Sequence, residues 1–215
     1  MKDKIVIIGA GVTGIFAATK LINEGYPGNL ITILDKGKNP YERQPNEIMA
    51  GFLGAGLFSD GKISYLHNKI GGELVKYCGK QKATKLVKEV METLTKFHPN
   101  PSKIMCSSPL KELDFIKPYF NLRTSPTYHI GTDYLKEIGK KWYDFLLQNE
   151  VKFIWETEIK DIDFKSQKIF CEIMAINYDK LIYATGKTGI NLTQKLIDKY
   201  KLKTESKSLQ LGVRF

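Results

Sequence analysis

A chain of 215 residues, 42% hydrophobic and 26% charged, can bury a core in one large domain, and its composition excludes a disordered polypeptide. Its +10 charge comes almost wholly from lysines interleaved with acids, with arginine only at Arg43, Arg123 and Arg214; that pattern reads as a solvated surface and argues against a dedicated nucleic-acid binder. The three scattered cysteines, Cys78, Cys106 and Cys171, lack any C-x-x-C spacing, which argues against a disulfide framework or a zinc site and fits a reducing compartment.

No signal peptide or membrane-length apolar run is visible, so a cytoplasmic protein is expected, without a membrane partner. The elements follow in order. Lys4 to Ile8 (KIVII) is a short β-branched run ending at Gly9, the pattern of a strand buried on both faces. From Gly11 to Asn23 the spacing of Ile15, Ala18, Leu21 and Ile22 predicts a helix, with Gly25 closing it. Leu30 to Leu34 is a second strand ending on Asp35. Residues 4–35 thus form a βαβ unit with parallel strands.

Residues 36–64 are glycine-rich and irregular, with glycines at 51, 54, 56 and 61. Gln81 to Phe97 carries an apolar stripe and predicts an amphipathic helix. Prolines at 99, 101, 109, 118 and 126 then punctuate a connecting stretch. A long helix follows over 133–149, with Thr132 or Asp133 as its N-cap. Val151 to Trp155 is expected as a strand and Ile159 to Ile176 as an antiparallel meander turning near Lys165-Ser166-Gln167. Leu181 to Ala184 reads as a further buried strand, and Leu209 to Phe215 (LQLGVRF) as a last one. Because that run has no polar tail, it reads as the first part of a longer protein. The fold class expected is α/β: one Rossmann-like domain over 1–215 with a mainly parallel sheet, a small antiparallel meander, a helical insertion over about 65–128 and a return over 129–215.

The strongest motif is Gly9-Ala10-Gly11-Val12-Thr13-Gly14. Gly9 permits the tight turn, Gly11 lets the backbone approach a pyrophosphate, and Gly14 lets helix and strand pack closely. The phosphates would sit at the helix N-terminus, where unpaired N–H groups and the dipole favour an anion. Asp35 lies 21 positions after Gly14, where the acid that binds a ribose diol is expected. It disfavours a 2′-phosphate, although Lys36 and Lys38 keep an NADP reading open. His67, His98 and His129 have no metal-ligand spacing, so no metal is expected. His98, at a helix end before Pro99, reads as a cap.

Beyond Gly14 come Ala18 and Gly25, completing a G-x-G-x-x-G-x3-A-x6-G pattern that resembles the N-terminal fingerprint of the two-dinucleotide-binding-domain flavoproteins. Asn177 to Gly186 (NYDKLIYATG) resembles their second signature. More narrowly, Gly54 to Lys62 (GAGLFSDGK), His129 to Asp133 (HIGTD) and Gly212-Val213-Arg214 are similar to segments of a prokaryotic family of FAD-dependent dehydrogenases. The resemblance implies FAD as cofactor, with NAD(P)H as a candidate electron donor, and hydride transfer with a small organic substrate. It implies cofactor contacts at Gly9, Ala10, Gly11, Val12, Thr13, Gly14, Asp35 and Lys36, at Gly56 and Ser59, at Ile159 beside the adenine, and at Ala184, Thr185 and Gly186. Ser59, Lys62 and His129 are the candidates to act at the flavin ring. Such proteins carry a later G-D segment on the ribityl chain that has no counterpart in these 215 residues. A missing C-terminal half or a partner chain would then complete the site. The rival readings are an NAD(H)-linked dehydrogenase and a non-catalytic nucleotide-binding half of a split flavoprotein.

Overall fold

The computed structural model describes residues 2–64, 74–107 and 127–205; the expected strand at 209–215, the G-V-R segment and His67 lie outside the described residues. Strand β1 (Ile5–Ile8) is flanked by β2 (Ile31–Leu34) and β10 (Lys180–Tyr183), and β6 (Lys152–Ile154) lies beyond β2. All neighbours are parallel, with Ile5 opposite Ile31 and Lys180. This is the Rossmann-like α/β fold expected, built on the βαβ unit.

The period of two sorts the β1 and β2 side chains between two cores. Ile5, Ile7, Ile31 and Ile33 pack with helices α1 (Val12–Asn23) and α4 (Leu135–Gln148), and Val6, Ile8 and Leu34 pack on the opposite face with Ile162, Ile169 and Leu196. A strand covered on both faces has no solvent side, so its run is uniformly apolar rather than alternating. The second cover is the antiparallel meander of β7 (Ile159–Asp163), β8 (Lys168–Cys171) and β9 (Ala175–Asn177), together with helix α5 (Ile190–Tyr200). Its first turn falls where expected: the Asp163 carboxylate accepts the Lys165 and Ser166 N–H groups, and Gln167 takes a left-handed φ of 53°.

Helix α1 ends in a Schellman motif, with Gly25 N–H on the Ile22 carbonyl and Tyr26 N–H on that of Leu21. The φ of 76° at Gly25 is why a glycine stands there. The helix is tied to α4 through a buried relay: Trp142 Nε1 donates to Thr19 Oγ1 at 2.6 Å, and that hydroxyl donates to the Ile15 carbonyl at 2.8 Å. Phe16 meets the same indole edge-on and Phe97 stacks on it at 5.0 Å. Thr19→Val keeps the shape but strands the indole N–H in the core. It is expected to cost about 1–3 kcal/mol, read as a lower denaturant midpoint with an unchanged slope.

Within the segment expected as a helical insertion, the described part holds α2 (Leu74–Cys78), α3 (Lys80–Phe97) and β4 (Met105–Ser107). Strand β4 joins β5 (Thr127–His129) and β3 (Lys62–Ser64) in a second antiparallel sheet, with β5 central.

Two expectations need correction and one is extended. His98 is the C-cap of α3, its backbone N–H on the Thr95 carbonyl, and its ring does more than cap. Asn100 N–H donates to its Nδ1, which assigns the proton to Nε2, and Nε2 donates to the Ile130 carbonyl at 2.8 Å; the ring ties the helix end to the segment after β5. Helix α4 begins at Leu135, after a 3-10 turn over Thr132–Tyr134, and has no side-chain cap. Thr132 is engaged elsewhere, its hydroxyl donating to the Asp60 carbonyl at 3.3 Å. Strand β10 is not buried throughout: it lies at the edge of the described sheet, with Lys180 and Tyr183 exposed.

Candidate nucleotide-binding site

The turn from β1 into α1 is fixed at every peptide. Gly9, at φ 103°, donates its N–H to the Leu34 carbonyl at 2.8 Å, and a Cβ there would lie 2.3 Å from the Ala184 carbonyl oxygen. Ala10 is fully buried. Its N–H goes to Asp35 Oδ2 at 2.8 Å, and its carbonyl accepts the Leu53 N–H at 2.7 Å. In a planar trans peptide C=O and N–H point in opposite directions, so the Gly11 N–H is aimed away from Leu53.

Gly11 is the N-cap of α1 in extended backbone, and the helix has neither a side-chain cap nor an acid in its first turn. Among the described residues the N–H groups of Gly11, Thr13 and Gly14 find no acceptor. A Cβ built on Gly11 would meet nothing within 4 Å, whereas one on Gly14 would lie 1.9 Å from the Gly9 carbonyl oxygen. The first glycine keeps space open over free donors; the second lets the helix close on the strand. Together they make a cradle for an anion.

Asp35 sits where β2 ends. Its carboxylate holds three peptides: Ala10 on Oδ2, and the N–H groups of Gly37 and Gly51 on Oδ1, both at 2.7 Å. Beside it lies an open cavity of about 300 Å³ reached by Gly9, Lys36, Ile159, Thr185, Asn191 and Lys195. The Thr157–Lys160 stretch forms one wall, and Thr157 N–H is anchored on the Asp35 carbonyl. Lys36 reaches across to donate to the Thr188 carbonyl at 3.3 Å. Glu158 forms a 2.6 Å pair with Lys160 that lowers its carboxyl from its ordinary value. Ala184 is pinned by its N–H to the Ile8 carbonyl and faces Gly9, and Gly186 follows at φ 57°. The residues expected along a dinucleotide from both ends of the chain therefore meet at the carboxyl ends of β1, β2 and β10, the place where ligands bind open α/β sheets.

The candidates for the flavin ring form a separate group. A 3-10 turn over Gly54–Phe58 lies against the start of α1, so close that a Cβ on Gly56 would come within 2.7 Å of a Val12 methyl. Ser59 Oγ donates to the Gly56 carbonyl at 2.9 Å and accepts from Gly61 N–H; its single proton is thereby engaged within the loop. Lys62 lies opposite His129 in the β3–β5 ladder and pairs with Asp60 at 3.2 Å, both side chains about half exposed. His129 Nδ1 accepts the Gly131 N–H. Lys62 and His129 are thus neighbours, and Gly56 connects their loop to α1.

Sequence reasoning missed Arg43 and Leu53. Arg43 is buried, and burial pushes its guanidinium below its ordinary value, opposed by Asp35 and Glu47. Leu53 is a buried leucine in left-handed backbone, φ 60°, a conformation costing a non-glycine residue about 1–2 kcal/mol. The one available signal was an arginine inside the glycine-rich stretch of a chain that otherwise uses lysine. Among the described residues no group of three or more His, Cys, Asp or Glu could hold a metal ion. No described helix is long and apolar enough to cross a membrane.

No family model matches the chain, and no curated protein matches it. Among solved structures it is similar to the 3-ketosteroid-delta4-(5alpha)-dehydrogenase from Rhodococcus jostii RHA1 in complex with 4-androstene-3,17-dione, at 16% identity and a TM-score of 0.53, over 92% of this chain and 48% of that one. It is also similar to the glycine oxidase from Bacillus cereus ATCC 14579, at 13% identity and a TM-score of 0.53, over 91% of this chain and 58% of that one. The likeness shows the fold. The chain spans about half the length of the solved structures it resembles.

Proposed function

We propose that this chain is the nucleotide-binding part of a cytoplasmic FAD-dependent oxidoreductase acting on a small organic substrate, and that it holds the ADP half of FAD at the start of α1. One observation carries the reading: free amides at an uncapped helix terminus, with open space over Gly11, beside a cavity walled by Asp35, Lys36 and the Thr157–Lys160 stretch. The resemblance of GAGLFSDGK and HIGTD to FAD-dependent dehydrogenase segments supports FAD over NAD(H).

In this reading Gly11, Thr13 and Gly14 give N–H groups to the pyrophosphate, helped by the positive end of the α1 dipole. Asp35 and Lys36 face the ribose, and main chain near Ile159 faces the adenine. Thr185 lines the cavity just after β10, with Ala184 and Gly186 on either side of it in the chain. Bound FAD would supply the redox chemistry by accepting or giving a hydride, with NAD(P)H a candidate donor. Lys62 would place positive charge near the ring, with Ser59 and His129 fixing the loop around it. Lys62→Met is expected to leave stability within about 0.5 kcal/mol, since its ion pair with Asp60 is solvated. The same change is expected to weaken flavin binding or slow flavin reduction; unchanged rates and affinity would remove Lys62 from the site.

The half-length match favours a refinement. The chain supplies the nucleotide-binding half, and further polypeptide, in the same chain or a partner, completes the flavin and substrate sites. The deciding experiment is the visible absorbance of the purified protein, with the released cofactor identified after denaturation. A flavin spectrum releasing FAD supports the proposal. A colourless protein that binds ADP but not FAD supports the incomplete half-site. Failure to bind either nucleotide sinks the reading.

A further inference from the structure

The glycine-rich turn is gripped from the side away from its free amides, and the grip leads back to one buried cation. Arg43 is 5% exposed, and its hydrogen bonds all go to backbone carbonyls. Its Nη1 donates to the carbonyls of Phe52 and Gly54 at 2.6 and 2.8 Å, the two that flank Leu53. Its Nη2 donates to the carbonyls of Glu47 and Ile48, and the guanidinium carbon lies 4.7 Å from the centre of the Phe58 ring. Among the described residues its Nε finds no hydrogen-bond partner. A fork that draws the carbonyls on both sides of one residue toward a single point leaves that residue little choice of backbone. Leu53 accordingly sits in left-handed conformation and donates its N–H to the Ala10 carbonyl.

We propose that Arg43 is a positioning residue for pyrophosphate binding, acting through Leu53 on the Ala10–Gly11 peptide. The inference rests on the reading of the α1 N-terminus given above. Arg43 fixes Phe52 and Gly54; the turn so formed presents Leu53 N–H to Ala10; and the Ala10 carbonyl, held there, turns the Gly11 N–H toward the open side. The planar guanidinium can serve four carbonyls from fixed directions, which a lysine ammonium cannot reproduce. The arrangement acts on the phosphate cradle: none of the cavity walls is hydrogen-bonded to Arg43, and the charge it presents to Asp35 is kept in Arg43→Lys.

That separation supplies the test. Binding of ADP and of adenosine to the full chain is measured by calorimetry for the wild type, Arg43→Lys and Phe58→Leu. Arg43→Lys is expected to weaken ADP about tenfold, equivalent to one lost hydrogen bond to the pyrophosphate, while adenosine changes less than about twofold. Phe58→Leu removes only the ring over the guanidinium and is expected to weaken ADP about threefold in the same selective way; it decides the matter if Arg43→Lys does not fold. Equal weakening of ADP and adenosine, which a merely structural role produces, overturns the proposal, as does unchanged ADP affinity. A wild type that binds adenosine but not ADP overturns the phosphate reading itself, a result distinct from a variant that behaves like the wild type.

Discussion

Gly14→Ala is expected to destabilise the chain by about 3 kcal/mol or more, the upper range for inserting a methyl into packed backbone, whereas Gly11→Ala is expected to fold normally and fail at the ligand. The two differ in what a methyl group meets. At Gly14 it would lie 1.9 Å from the Gly9 carbonyl oxygen and 3.2 Å from an Ile7 methyl. Neither neighbour is a flexible tip: one is backbone and the other belongs to a fully buried strand residue. Relief requires lifting α1 off β1, and the free amides of its first turn move with it. At Gly11 the methyl meets nothing, and the backbone, at φ −66° and ψ 178°, is one that alanine adopts freely. Stability there is expected to hold or rise by up to about 1 kcal/mol, because alanine restricts the unfolded chain. The space the methyl fills is the one read as the pyrophosphate path, so ADP affinity is expected to fall about a hundredfold. Chemical denaturation and ADP titration of both variants check the pair. A Gly11→Ala variant that binds ADP like the wild type would move the phosphate site elsewhere.

The contrast also marks how much was legible in the sequence. The spacing of Gly9, Gly11 and Gly14, followed by Asp35, identified the turn and its strands; at Gly9 and Gly14 close packing leaves glycine as the only residue that fits, whereas nothing in the fold itself demands it at Gly11. Helices α3 and α4 were legible from their periodic apolar faces, and the meander from its alternation and its turn near Ser166. Less legible was everything set by partners distant in the chain. That Thr132 serves Asp60 rather than capping α4, and that His98 reaches Ile130, depends on how 60–64 and 127–132 pair, which no local spacing encodes. The edge position of β10 is a fact of sheet order, and LIYA reads the same at an edge or a centre. Arg43 was the hardest to foresee: a charged residue among others in a polar loop reads as solvated, and only the fold shows that four carbonyls surround it.

Asp35→Asn is expected to cost about 3 kcal/mol and, if the proposed ribose contact holds, to weaken ADP at the same time, because this carboxylate holds the loop. Three backbone N–H groups point at it, and a carboxylate meets them as an acceptor on both oxygens. Asparagine can keep its oxygen toward Gly37 and Gly51 only by turning its NH₂ toward Ala10, donor against donor. One N–H in the fully buried Ala10 is then left unpaired, at about 1–3 kcal/mol, and two charge-assisted bonds become neutral ones. The Ala10 amide is expected to exchange with solvent faster in the variant, a local signature separate from the drop in denaturation midpoint. The lone-pair count bears on the ligand too. With two N–H groups on Oδ1 and one on Oδ2, room remains for a single ribose hydroxyl rather than for a bidentate grip on the diol. The wild type is therefore expected to prefer ADP over its 2′-deoxy or its 3′-deoxy analogue, but not over both, by about tenfold to a hundredfold, the value of one hydrogen bond to a charged acceptor. Asp35→Asn is expected to erase that preference while weakening all three nucleotides together. A preference that survives the substitution would take Asp35 off the ribose and leave it the loop alone, with Lys36 and the wall around Thr157 left to recognise the sugar.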